Sequence, residues 1–197
     1  MSARDRILQR LHQASPTGSA GRATGKPPPL PAQWIDSDSA QILDFFTAQA
    51  QRSGATVRKL SGVDELRDVI SALAKTSPVE IYGCEFVSFN GIPASDSGAS
   101  GACTVVRADA AIAETGTVCI HSRQAPSRSL FLCDHLVVVL HQTDIHRHQE
   151  DYWLRQAADN VPSAVHLITG PSRTADVEQT IQVGAHGPKL VTLLVCD

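Results

Sequence analysis

The sequence predicts an α/β domain with a largely parallel or mixed sheet flanked by helices. Two observations carry that expectation. Between residues 38 and 82, helical and strand patterns alternate, as consecutive units of a parallel sheet do. Later come "HLVVVLH" (135–141) and "KLVTLLVCD" (189–197), apolar at consecutive positions rather than at every second one. A strand covered on both faces reads that way.

Each element has its own local reason. Residues 3–13 put Ile7, Leu8 and Leu11 on one helical face, with Ser2 and Asp5 as a start signal. The stretch "ASPTGSAGRATGKPPPLP" (14–31) offers almost nothing to bury and predicts a linker. Residues 1–35 are therefore expected to be an N-terminal helix and a flexible Gly/Pro-rich linker, and residues 36–197 the domain proper. Asp38 and Gln41 resemble a capping box for a helix carrying Ile42, Phe45 and Phe46, which Gly54 can end. "ATVRKL" (55–60) alternates as a strand. Ser61 and Asp64 open a second helix, with Leu66, Val69, Ile70 and Leu73 at i, i+3, i+4 and i+7. Pro78 stops it, and "VEIY" (79–82) is a short strand. Residues 90–101 read as loop, and 104–122 as two extended runs reversing at Glu114-Thr115-Gly116. Residues 145–158 predict a helix, with Ile145, Tyr152 or Trp153, and Ala157 facing inward. "AVHLITG" (164–170) is a further strand.

Composition narrows the function classes. A formal net charge of −3 gives no electrostatic reason to expect nucleic acid. The longest apolar runs are strand-length, far below the ~20 residues of a spanning helix. "MSARDRILQRLHQA" has no apolar core of a secretory signal, so a cytoplasmic location is expected. The five cysteines include no C-x-x-C pair, so iron–sulfur and structural zinc patterns are absent. Buried thiols in a reducing compartment are the natural reading, with no metal and no cofactor in this chain.

Polar chemistry concentrates in two stretches. "TGPSRTADVEQTIQVGAHGP" (169–188) follows a strand with Gly170, Ser172, Arg173, Thr174 and Asp176. Asp176 and Gln179 suit a helix start, and the whole turn suits a carboxylate or phosphate. The same residues equally suit capping and local ion pairing. His186 is either a proton donor or ligand, or a turn histidine. "AETGT" (113–117) places Glu114 among small apolar residues, as a general base, nucleophile or Arg partner, or as a solvent-facing strand residue. Gly116 and Thr117 add backbone and hydroxyl donors. The neighbouring Arg107 and Asp109 point the same way as one another by period two. "HSRQAPSRSL" (121–130), with Arg123 and Arg128, reads as a loop, covering an anion or simply solvated. His141, His146 and His148 lie close in sequence but diverge on a helix, a poor metal site.

"ADAAIAETGTV" followed by "ITGPSRTADVEQTIQVGAHGPK" resembles the lactate-utilization (LUD) domain, in the lactate utilization protein C family. The resemblance runs from about residue 36 onward. It implies a fold similar to the isomerase/CoA-transferase group that includes ribose-5-phosphate and glucosamine-phosphate isomerases. It also implies a component of a three-protein bacterial system oxidising L-lactate to pyruvate. The partners would be an iron–sulfur LUD-domain protein, carrying the clusters this chain lacks, and the other lactate-utilization subunit. A small organic acid is a further candidate partner. Glu114 is the candidate catalytic residue. Gly116, Thr117, Gly170, Ser172, Arg173, Thr174, Asp176 and His186 are the candidate anion-binding set, chosen for their chemistry and their place in the motifs. Two other classes stay open. One is an independent organic-acid or acyl-CoA enzyme, because Glu-x-Gly loosely resembles the CoA-transferase glutamate motif and Glu114 would accept the acyl group. The other is a non-catalytic assembly subunit.

Overall fold

The computed structural model describes residues 3–14, 38–84, 102–156, 162–174, 182–183 and 187–197. The chain divides into two units, residues 1–36 and 37–197. In the first, α1 (Ala3–Ala14) exposes Ile7 and Leu8. The loop 90–101, residues 15–31 of the proposed linker and Ala157 lie outside the described residues.

In the second unit, α2 (Ser39–Arg52) begins at Asp38, whose carboxylate accepts the Gln41 N–H at 2.8 Å. This satisfies one of the first-turn donors that a helix leaves without partners. Gly54, at φ 96°, turns the chain out of the helix into β1 (Thr56–Leu60). The helix α3 (Val63–Ala74) follows. Its start differs from the expected Ser61/Asp64 signal. Gly62 is the N-cap, and Glu65 reaches back to accept the Ser61 N–H at 2.9 Å. Then come β2 (Val79–Tyr82), β3 (Cys103–Arg107), β6 (His135–His141) and β11 (Leu190–Cys196).

These strands form one wholly parallel sheet in the order β1-β11-β6-β3-β2. Residues alternate between its faces. Val105, Val137, Val139 and Leu194 pack with Leu66 and Ile70 of α3. Val106, Leu136, Val138, Leu140 and Leu193 pack on the opposite side with Leu43, Phe46 and Ala50 of α2. Burial on both faces is why these strands are apolar at every position.

A second sheet completes that opposite face, in the order β7 (Ile145–His146), β4 (Ala110–Ile112), β5 (Thr117–His121) and β8 (Val165–Ile168). Ala111, Val118, Ile120 and Ile168 join the same core as α2. On the other face of this sheet, α5 (Gln149–Arg155) covers a small separate cluster of Ala110, Ile112, Cys119 and Tyr152.

Three local expectations change. Residues 103–122 hold three strands rather than two runs: β3 belongs to the parallel sheet, and the chain crosses into the second sheet at Ala108 and Asp109. Residues 121–130 are only partly loop, because α4 (Ser127–Leu132) begins within them. The helix expected over 145–158 starts only at Gln149. The backbone before it is committed to pairing, with Ile145 and His146 opposite Ala111 and Ile112, and with the His146 carbonyl accepting the Ala113 N–H. Among the described residues, no helix is long and apolar enough to cross a membrane.

All five cysteines are buried. Burial pushes Cys103 and Cys119 from 9.0 up to about 12. In the unfolded chain these protons leave first, so above about pH 9 the native state binds more protons than the unfolded one and loses stability as pH rises towards 12. Urea midpoints measured from pH 8 upward should fall, and Cys119→Ala should remove part of that fall. In the same assay at neutral pH, Phe46→Ala (0% exposed) should cost about 3–5 kcal/mol, while Phe45→Ala (51% exposed) should cost no more than about 1.

Candidate functional site

Antiparallel pairing of β5 with β8 sets Val118 opposite Ile168. Thr117 and Thr169, one step further along each strand, therefore meet, and their hydroxyl oxygens lie 2.7 Å apart. Thr115 extends the chain, with its hydroxyl 2.6 Å from that of Thr117. The two motifs are thus joined across 52 residues of sequence. Three hydroxyls in line carry three protons and use two between themselves. The third is left over for a partner outside the chain.

Two glycines let this junction sit against the last turn of α2. Gly116 has φ 68°, and a side chain there would collide with the backbone of Gln49 and Ala50. Gly170 has φ 77°, and a Cβ would lie 2.5 Å from the Ser53 carbonyl oxygen. Both positions need the left-handed backbone and the missing Cβ. Arg173 extends over Gly54, where a Cβ would fall 2.5 Å from its Nη2. Its side chain is exposed. The backbone of Arg173 and Thr174 forms β9 (Arg173–Thr174), which pairs with β10 (Gln182–Val183). Ser172 is held by its own N–H, which donates to the Pro188 carbonyl at 2.9 Å. Gly116, Thr117, Gly170, Ser172 and Arg173 therefore gather around the α2 terminus and Gly54. The Thr174 side chain, Asp176 with its expected helix start, and His186 lie outside the described residues.

Glu114 is in the same hairpin turn but faces α5. Its Oε1 accepts the Gln149 N–H at 2.9 Å, and its Oε2 accepts from His148 Nδ1 at 3.1 Å. Among the described residues, no hydrogen bond or ion pair joins it to Arg173. An acyl acceptor at Glu114 would have to leave both donors. The placement of the whole junction is also informative. Gly54 precedes β1 and Pro188 precedes β11, so it adjoins the N-terminal ends of the parallel strands. Ligands of open α/β sheets gather at the other, C-terminal, edge. The strand 164–170 belongs to the second sheet, and so the usual edge rule does not reach it.

A second polar centre, which sequence reasoning missed, lies at the base of the same hairpin. The Asp109 Oδ2 accepts the His121 N–H at 2.7 Å, and Oδ1 lies 3.2 Å from His121 Nδ1. A carboxylate only accepts, so Nδ1 carries a proton. The Tyr152 hydroxyl oxygen lies 2.8 Å from Nε2. Burial pushes the Tyr152 phenol upward, so it stays protonated. The Gln124 amide also donates to Asp109, at 3.3 Å. The available sequence signal was the near-symmetric placement of Asp109 and His121 about the 114–116 reversal. Tyr152 is contributed by a separate helix and carries no such mark. Among the described residues, no three metal-ligating side chains cluster, His141, His146 and His148 included.

Fold and site together define an α/β protein with two packed sheets, whose polar motifs meet where the second sheet touches the α2 terminus. The LUD-domain family model matches residues 99–196, and the chain belongs to the LUD-domain family. It is 34% identical over 95 residues to lactate utilization protein C of Macrococcus caseolyticus, covering 45% of this chain and 41% of that protein. It is 31% identical over 100 residues to the protein of the same name in Bacillus pumilus, covering 48% and 42%. The chain thus spans about two-fifths of the length of these relatives. In fold it is similar to the crystal structure of a DUF162 family protein from Deinococcus radiodurans, with a TM-score of 0.59 and 20% identity over 82% of this chain and all of the other.

Gly116→Ala should destabilise the domain by more than about 1 kcal/mol, because both the backbone conformation and the space oppose it. Thr117→Val removes the middle hydroxyl and leaves Thr115 and Thr169 without it, costing about 1–3 kcal/mol. Urea denaturation of both variants checks the pair. A Thr117→Val protein as stable as the parent would show that the hydroxyl chain contributes nothing.

Proposed function

We propose that this protein serves in L-lactate utilization as a LUD-domain component that holds a small carboxylate at the junction of its two motifs. The observation that carries the reading is the Thr117–Thr169 hydroxyl contact, which makes one place out of two distant stretches. The proton that the hydroxyl chain does not use internally suits a 2-hydroxy or 2-oxo group. The Arg173 guanidinium, a few residues along, suits the carboxylate. Relatives carrying the name lactate utilization protein C support the pathway. In this reading the iron–sulfur clusters reside on a LUD-domain partner, since none of the five cysteines here belongs to a C-x-x-C pair.

Calorimetric titration with L-lactate and with pyruvate tests the site. Arg173→Ala should weaken binding by about ten-fold or more, the scale of one charge-assisted pair. A strain lacking the protein should lose growth on L-lactate and regain it with the parent gene. Undiminished lactate oxidation without the protein would overturn the reading. Co-purification with an iron–sulfur protein but no carboxylate binding would make it an assembly subunit instead.

A further inference from the structure

The two polar centres have one thing in common: each ties α5 to the hairpin. At the hairpin tip, Glu114 receives the Gln149 N–H and His148, the residue that opens α5 and whose own N–H donates to Asp151 at 3.2 Å. At the base, the Tyr152 hydroxyl in the middle of α5 is hydrogen-bonded to His121, which Asp109 orients. Between these ties, α5 has little hold among the described residues. It is seven residues long, and Tyr152 is its one fully buried side chain, at 1% exposure. Gln149, Glu150, Trp153, Leu154 and Arg155 are exposed. The surface beneath is the small cluster of Ala110, Ile112 and Cys119, separate from the two large cores. An element with few buried contacts and a handful of polar ties opens at much lower free energy than the core.

Closing the helix also changes the field at the neighbouring site. With α5 in place, two donors occupy the Glu114 carboxylate. With α5 displaced, the carboxylate one residue from Thr115 loses the dipoles of both donors, and its oxygens then oppose a bound anion at the hydroxyl chain more strongly. We propose that α5 is a hinged cap on the β4–β5 hairpin, and that cap closure and anion occupancy at the hydroxyl chain favour one another. The cap stands on the geometry of α5 alone; its coupling to a ligand rests on the carboxylate site proposed above. Linkage makes the effect reciprocal: opening weakens anion binding, and a bound anion holds the cap shut by the same factor.

Cys119 lies under the cap, while Cys103 and Cys133 lie in the large cores. Alkylation of the full chain with iodoacetamide at neutral pH, read cysteine by cysteine by peptide mass spectrometry, reports the opening. Cys119 should be modified at least about ten-fold faster than Cys103 or Cys133, as local opening requires. Tyr152→Phe, and separately Glu114→Gln, should raise the Cys119 rate further and leave Cys103 unchanged. The Glu114→Gln variant keeps the apolar contacts of α5 intact and so guards against a folding defect. Equal rates for Cys119 and Cys103 in the parent would show that Cys119 is reached only by global unfolding, and would overturn the cap. Saturating L-lactate should slow Cys119 at least about two-fold without affecting Cys103. Lactate that binds by calorimetry yet leaves the Cys119 rate unchanged would overturn the coupling. Lactate that does not bind at all would overturn the proposed function, while fast Cys119 modification would still support the cap.

Discussion

The arrangement of this domain depends on two backbone hydrogen bonds at neighbouring residues. The Ala108 N–H donates to Val139 in the parallel sheet at 2.8 Å, and the Asp109 N–H donates to Cys119 in the second sheet at 2.9 Å. Here the chain passes from one sheet to the other without a loop between them. Buried backbone groups must be paired, and this handover keeps both of these donors satisfied where the chain changes sheets. It also aims the β4–β5 hairpin away from the C-terminal edge of the parallel sheet and towards the α2 terminus. Without it, the tip bearing Glu114, Thr115 and Thr117 would not reach Thr169.

Close packing then sharpens the junction. Gly116, Gly170 and Gly54 remove side chains where the hairpin, the turn after β8 and the end of α2 converge. The cost of a glycine is conformational entropy in the unfolded chain. The return is contact between three backbones and an exposed arginine laid over one of them. The carboxylates near the hairpin are used differently from one another. Asp109 orients a histidine whose second nitrogen receives a buried tyrosine, and Glu114 collects donors from the start of α5. Both uses tie down a short helix whose one buried side chain is Tyr152.

Much of the fold was legible because its signals are local. Asp38 before a 3.6-residue pattern, Leu66 and Ile70 one turn apart, and the unbroken apolar run from Leu136 to Leu140 each state their structure within a few residues. The failures share a cause. Nothing near Ile145 or His146 says that their backbone will pair with β4, and helical periodicity won by default over 145–158. Nothing at Ala108 says that one extended run serves two sheets. Period two placed Arg107 and Asp109 on one face, but that rule assumes a single continuous strand. For the site, motif chemistry pointed to Thr117, Gly170, Ser172 and Arg173. It could not reveal that Glu114 would turn to α5, because its partner His148 is 34 residues away.

By itself the sequence determined the class of domain, the family and the residue types available for chemistry. Periodicity, capping and motif order act over a few residues and survive without a structure. Tertiary structure decided which of those residues meet. The pairing of β5 with β8 brought Thr117 to Thr169, and the folding of α5 onto the hairpin brought Tyr152 to the Asp109–His121 pair. Such contacts depend on strand register and sheet order, which follow from the burial of the whole core rather than from any one segment.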